Sequence, residues 1–421
     1  MSLLQPEILT SIVSRLFRIE EVTWGDPQKT FVVRFRGALL TEDSAAAYDT
    51  LAEALRPYDI TPLFRVEEGR QTVVLVSGVS RPPQGRISIN IALFILTLLS
   101  VLFVGAVYSY QGELPPDPAD QIKTLLLHIW DGWPFAVSLL GILLAHEFGH
   151  YFAGRYHKTA VSLPYFIPLP YPIGFLGTMG AFINMKERPK NKRTLLDIGI
   201  AGPLAGLVVA IPVLTLGLAL SKTGPILDTI YTKEAGVADV CSNHVLVGQT
   251  YTCPDDNLLE GNSILYLGLK YLTHGRLLPA PAQSNQPPLL YWLRYFFTGQ
   301  PIPLGGLDVM LHPVAWAGWA GILVTFLNLI PVGQLDGGHV TYTLFGPRVR
   351  KAVPFILVIL LGLGIIWSGW WLWAAIIFFL GRAHAEPLDQ ITELDPRRKK
   401  LAVLVLVIFV LVSTPVPLTL F

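Results

Sequence analysis

The sequence predicts an α-helical polytopic membrane protein of about six or seven spans, with a small soluble α/β domain at its N-terminal end. Three observations predict it. Of 421 residues, 52% are hydrophobic and only 14% charged, against about 25% charged in ordinary soluble domains. From residue 87 onward, apolar runs of membrane-spanning length alternate with polar connections, as a chain crossing a hydrocarbon layer of about 30 Å requires. Residues 1–82, by contrast, mix polar and apolar side chains in short-period patterns.

Within that first unit, TFVVRFRG reads as a strand and TEDSAAAYDTLAEALRP as a helix. ITPLFRVEE and QTVVLVSG, flanking Gly69, read as a hairpin. Nothing in the unit carries a catalytic pattern. A regulatory or substrate-presenting role and plain structural packing are equally open. With no early apolar core, no cleavable signal peptide is expected, and the first span is the targeting signal. The net charge of +1 points to no polyanionic partner. Without a basic stripe interleaved with aromatics, nucleic acid is not expected as a partner.

A Pro/Gly linker from Ser80 to Gly85 leads into the first span, Ile87 to Tyr108. Arg81 and Arg86 precede this span and the acidic GELPPDPADQ follows it, so the positive-inside rule places the N-terminus in the cytoplasm. In a prokaryote the membrane would be the plasma membrane. The second span, about Ile122 to Tyr156, contains WPFAVSLLGILLAHEFGHYFAG. VSLPYFIPLPYPIGFLGTMGAFINM then holds Pro164, Pro168, Pro170 and Pro172, so no regular helix can form there. Irregular backbone at membrane depth must be buried in protein or line a cavity, which predicts a loop or hairpin over a site, with an interfacial connector as the alternative. After the basic KERPKNKR comes a third span, Leu195 to Leu220, with Gly202 and Gly206 in GxxxG spacing, read as helix packing. Residues 222–310 form a long outer loop with the amphipathic piece GNSILYLGLKYL and both cysteines, Cys241 and Cys253. These form a disulfide if the loop faces an oxidising compartment and stay thiols if it does not.

The fourth span, Pro313 to Ile330, ends at NLIPVGQLDGGH. Ala352 to Leu380 breaks at Ser368-Gly369 into two short spans or a tilted hairpin, with Trp367, Trp370, Trp371 and Trp373 as interfacial anchors. The last run, Leu401 to Phe421, exits to the outside. The chain thus divides into residues 1–82, a membrane core 83–345 that includes the outer loop, and C-terminal spans 346–421.

Chemistry concentrates at His146-Glu147-Phe148-Gly149-His150. Four helical residues turn about 400° and rise about 6 Å, so both histidines can reach one metal ion. Glu147 then stands beside the metal, able to take a proton from a metal-bound water, the division of labour of the H-E-x-x-H signature. Among leucines and isoleucines, ionisable residues mark function. Pro331 and the following glycines put Asp336 on irregular backbone near the inner end of its span, at the depth of the two histidines. Two histidines and a carboxylate make a catalytic zinc site, which predicts one Zn2+ per chain, with His339 supporting the ligands rather than joining them. Asn328 either holds a peptide or developing oxyanion, or caps the helix end. The expected reaction is amide hydrolysis.

HEFGH in an apolar helix, GTMGAFINM, AGPLAG and NLIPVGQLDGGH together resemble the site-2 protease family of intramembrane zinc metalloproteases, peptidase family M50, over residues 87–345. The N-terminal unit and span order resemble its plastid and cyanobacterial branch. No inserted PDZ domain is readable. The resemblance implies zinc ligands His146, His150 and Asp336, the acid/base Glu147, and a substrate groove lined by Gly177, Thr178, Met179, Gly180, Ala181 and Phe182. The implied partners are a transmembrane protein substrate and the lipid bilayer; no oligomeric state follows. A transmembrane helix hides its carbonyls in its own hydrogen bonds, so cleavage requires local unwinding, and a strand-like edge in GTMGAFINM could capture the unwound segment. Two other readings compete: a transporter relaying ions or protons through the His/Glu/Asp set, and an inactive scaffold of the same fold.

Overall fold

The computed structural model describes residues 6–25, 31–80, 85–225, 258–281, 287–299, 306–380 and 386–420. Cys241, Cys253 and the question of their pairing fall outside these residues.

The N-terminal unit comprises α1 Pro6–Ser14, β1 Phe17–Trp24, β2 Val33–Leu39, α2 Ser44–Leu55, β3 Ile60–Glu67 and β4 Arg70–Ser77. Its sheet is antiparallel, in the order β1-β2-β4-β3. Alternate strand residues Val33, Phe35, Phe64, Val73 and Leu75 turn inward and pack on Tyr48, Leu51 and Leu55 of α2 and on Leu9 and Val13 of α1. Asp43 starts α2 by accepting from the Ala46 amide at 3.1 Å. Glu68 and Gly69 both adopt positive φ, 52° and 79°, the geometry of a two-residue hairpin whose twist matches its strands.

Among the described residues, four helices are long and apolar enough to cross a membrane: Ile87–Ser109, Ile129–Tyr156, Lys192–Leu220 and Asp336–Ile366. The first is α3 Ile87–Ser109; it is followed by the short α4 Pro118–Leu127 and then α5 Trp133–Tyr156. The second span therefore starts near Ile129 rather than Ile122. Asp117 caps α4 separately, and the chain leaves α-helical geometry at His128. There Gly132 and Gly105 of α3 lie so close that a Cβ on either would stand 2.1–2.5 Å from the other's backbone neighbourhood.

The proline-rich stretch is a two-stranded hairpin, β5 Tyr165–Pro168 with β6 Thr178–Phe182. Its irregular approach is held from α3, where buried Asn90 donates to the Leu163 and Pro164 carbonyls at 3.0 and 2.9 Å and Tyr108 donates to the Phe175 carbonyl at 2.6 Å. These bonds satisfy backbone that regular structure leaves unpaired. Next comes α6 Lys192–Leu220, started by Asn191, which accepts from the Thr194 amide.

Beyond α6, β7 Lys222–Pro225, β8 Leu258–Glu260, α7 Ile264–His274, α8 Pro288–Thr298 and β9 Leu307–Met310 form a cap. The chain re-enters the bundle as α9 Pro313–Asn328, of which most residues are buried. It continues through α10 Asp336–Phe345, α11 Val353–Ile366, α12 Gly369–Leu380 and α13 Pro396–Val412, and ends in β10 Leu418–Leu420. Two expectations change here. The last apolar run is helical only to Val412, because Pro415 and Pro417 stop it, and its end pairs with β8 in the cap. Trp370 is no interfacial anchor: fully buried, it meets Phe326 edge to face at 5.9 Å and donates to the Pro415 carbonyl at 2.6 Å.

Helices α11 and α12 form the expected broken hairpin, its two feet joined by an Arg350–Glu386 ion pair. Residues 386–395 then run as a strap beneath the bundle. Phe64 of β3 exchanges both backbone hydrogen bonds with it, to Leu388 and Gln390, while Leu388 and Asp389 donate to Pro189 and Lys190. Arg65 donates to the Pro387 and Leu388 carbonyls at 3.1 and 2.8 Å. Buried Asp389 accepts from the Ile391 and Thr392 amides. Through the strap, the sheet domain is fixed against the membrane core.

Candidate metal centre and its cleft

Helix α5 delivers His146 and His150 to one face, and α6 and α10 close around them. At 1.5 Å per residue the two histidines lie about 15 and 9 Å from the sheet-domain end of α5. The Pro331 break ends α9 and restarts the chain so that Asp336 opens α10 at the same depth. His146 Nε2 and His150 Nε2 are 3.2 Å apart, and each is 3.3 Å from Asp336 Oδ2. Donors about 2.0–2.1 Å from a tetrahedral ion stand about 3.3 Å from one another, so three atoms with this spacing fit zinc.

Support for the candidate ligands comes from backbone. His150 Nδ1 lies 2.7 Å from the Ile198 carbonyl of α6, a hydrogen bond that puts the ring proton on Nδ1 and leaves Nε2 as an electron-pair donor. Asp197, the preceding residue, is gripped by Arg398 of α13 at 2.9 and 2.6 Å and meets His157, just past the end of α5, at 2.9 Å. Helices α5, α6 and α13 are thereby pinned at the residue next to the carbonyl that orients His150.

Gly202 and Gly206, expected to serve packing between helices, pack against the two histidines themselves. A Cβ on Gly202 would stand 2.0 Å from His150 Nε2, and one on Gly206 3.2 Å from His146 Nδ1. The GxxxG spacing was visible in the sequence, but its facing partner was not. The Ile198 carbonyl carries no sequence signal at all.

Glu147 is buried beside its two neighbouring histidines, and its Oε2 has no hydrogen-bond partner among the described residues. Asn328, the last residue of α9, reaches in from the other side, its Nδ2 3.3 Å from His146 Nε2. His339 lines the same space, yet among the described residues the group of donors close enough together to hold one ion is His146, His150 and Asp336. Of the six groove residues, Ala181 and Phe182 line the cleft that contains the histidines. Met179 is exposed, Gly177 packs against the Ser100 and Val101 backbone of α3, and Thr178 spends its hydroxyl on the Ile167 and Gly180 backbone.

The cleft measures about 1470 Å³. Its floor carries His146, Glu147, His150, Asn328 and Asp336; one wall is residues 181–190, and the other is the sheet domain.

Residues 134–365 match the family described as Peptidase family M50. Among curated proteins the chain is 29% identical over 345 residues to one named probable zinc metalloprotease EGY1, chloroplastic, of Oryza sativa subsp. japonica, covering 78% of this chain and 50% of that protein. It is 28% identical over 342 residues to the protein of the same name from Arabidopsis thaliana (78% and 53%). With one named probable zinc metalloprotease EGY2, chloroplastic, of Arabidopsis thaliana, it shares 27% over 329 residues (77% and 48%). The chain spans about half the length of these relatives. No solved structure matches.

Proposed function

The chain belongs to peptidase family M50, and on that premise we propose that it is an intramembrane zinc metalloendopeptidase that hydrolyses peptide bonds within or next to transmembrane segments of other proteins. The observation that carries the proposal is the triangle of His146, His150 and Asp336 donor atoms, 3.2–3.3 Å on each side, with Glu147 Oε2, which has no partner among the described residues, beside it. An ion- or proton-relay would string its groups across the membrane; donors converging on one point favour a metal.

His146, His150 and Asp336 would hold one zinc per chain. When bound, zinc lowers the pKa of a coordinated water toward about 7 and polarises a carbonyl. Glu147 Oε2 accepts the proton of the attacking water as the carbon–oxygen bond forms, then returns it to the amide nitrogen as the carbon–nitrogen bond breaks. The Asn328 amide donates to the substrate carbonyl oxygen as charge develops on it. Ala181 and Phe182, at the cleft end of β6, hold the unwound substrate strand by edge pairing. The sheet domain and the basic helix ends lie on the cytoplasmic side, or on the side equivalent to it in an organelle. On this reading the final hairpin and α13 complete six or seven spans, divided as residues 1–82, 83–345 and 346–421.

The test is metal analysis of the purified protein together with cleavage of a single-span test substrate. We expect one zinc per chain in both wild type and Glu147→Gln, with cleavage by the variant down about 10²–10⁴-fold. Wild-type protein that holds no zinc after purification without chelators would sink the proposal.

A further inference from the structure

The sheet domain lies directly over the mouth of the site, and the strap fixes it there. Its wall of the cleft is made by the start of β3, Thr61 and Leu63 among it, and by Arg56 at the end of α2. The opposite wall runs along residues 181–190, continuous with the strand that reaches the catalytic floor. The volume, about 1470 Å³, exceeds the roughly 300–1,000 Å³ of small-molecule sites, which suits a length of polypeptide.

A span drawn into the site continues as chain on the sheet-domain side, and the cleft is where that chain meets the domain. The charge of the walls says which chains fit. On the walls Arg56, Lys158, Lys186 and Arg188 outnumber Glu53 and Glu187, while Asp49 and Lys190 neutralise each other at 2.8 Å. Most spans carry Lys and Arg on their cytoplasmic flank, which such a cleft repels. We propose that the cleft between the sheet domain and residues 181–190 docks the extramembrane segment next to the cleaved span, and that it selects substrates whose flank is extended and acidic.

This inference rests on the peptidase reading. It also assigns the sheet domain a task, with discrimination by complementary charge.

The experiment uses the full chain reconstituted in lipid and one single-span test substrate in three forms: acidic flank, the same flank with its carboxylates changed to Lys, and flank removed. Wild type should cleave the acidic form with kcat/KM at least about tenfold above the other two. The double variant Arg56→Glu, Arg188→Glu, both at exposed positions, should reverse the preference between acidic and Lys flanks. In the Glu147→Gln protein, a photo-crosslinker at Thr61 should capture the flank, and one at Arg70, on the far hairpin turn, should not. Equal cleavage of all three forms, with no reversal and no capture from Thr61, overturns the docking proposal and leaves the peptidase standing. A wild type that cleaves none of the three and holds no zinc overturns the peptidase reading, and the docking proposal falls with it.

Discussion

Among the described residues, one cluster of buried ionisable groups lies in the sheet-domain half of the bundle and another in the cap. They differ in what stands where their charges meet. In the cap, Lys270 Nζ sits 3.0 Å from Glu260 Oε1, 3.4 Å from Asp308 Oδ1 and 4.5 Å above the Tyr266 ring, whose hydroxyl donates to Glu260 at 2.8 Å. The chain supplies its own cation, and α7, β8 and β9 are tied together by it. At the other cluster, donor atoms of His146, His150 and Asp336 converge without a cationic side chain between them among the described residues, and the cleft opens onto them. Burying charge builds structure when the counter-charge is internal. It builds a reactive site when the counter-charge must come from outside.

The largest effect expected is on the closed cluster. Lys270→Met leaves two buried carboxylates without their cation and should cost about 3–5 kcal/mol, read as lowered thermal stability in detergent. Adding Glu260→Gln and Asp308→Asn removes the stranded charges and should recover most of the loss, since a buried ion pair is worth little against neutral groups of similar shape. If the triple variant is no more stable than Lys270→Met, the cap cluster is more than a structural tie and the contrast with the candidate metal site fails.

Each cluster was legible to a different degree. His146, Glu147 and His150 are local, placed on one helix face by spacing alone, and Asp336 follows from the Pro331 break and the order of spans. Glu260, Lys270 and Asp308 are scattered over a long polar loop, and no spacing rule joins them. Strand β1, FRIEEVTW, hid behind charges because it is a sheet edge with one fully buried residue, Phe17. The strap PLDQITELD has the composition of a charged loop; that Asp389 is buried in it depends on partners at Phe64 and Lys190, far away in sequence. Trp370 misled for the same reason: aromatic residues at an apparent span end suggest an interface until Phe326 and Pro415 are seen to cover it.

A smaller effect tests whether the open cluster depends on its floor. Gly202→Ala places a methyl carbon where His150 Nε2 lies, at 2.0 Å in the undisturbed geometry, whereas a Cβ at Gly141 of α5 meets nothing within 4 Å. Because the ring must shift, zinc affinity measured by chelator competition should fall about 10–100-fold in Gly202→Ala, with no change in Gly141→Ala. Equal affinity in both would mean that α5 and α6 part easily, and that the glycines serve only helix packing.

The smallest effect concerns pH and belongs to the cap alone. Burial raises the Asp308 carboxyl from 3.8 to about 6; Lys270 opposes the shift and Glu260 adds to it. Attraction to the lysine does not prevail because that one cation is shared between two carboxylates. The native state therefore holds the Asp308 proton more tightly than the unfolded chain does. Its stabilising contribution is full below about pH 4 and is lost as pH rises through about 6. Other groups of the protein also gain or lose protons in this range, so the readout is a difference: the melting temperature of wild type minus that of Asp308→Asn, followed from pH 5 to pH 7. The difference should shrink toward pH 7 by on the order of 2–4 °C. A difference that stays constant would mean that Lys270 neutralises Asp308 fully at neutral pH, making the cap cluster more completely closed than its geometry indicates.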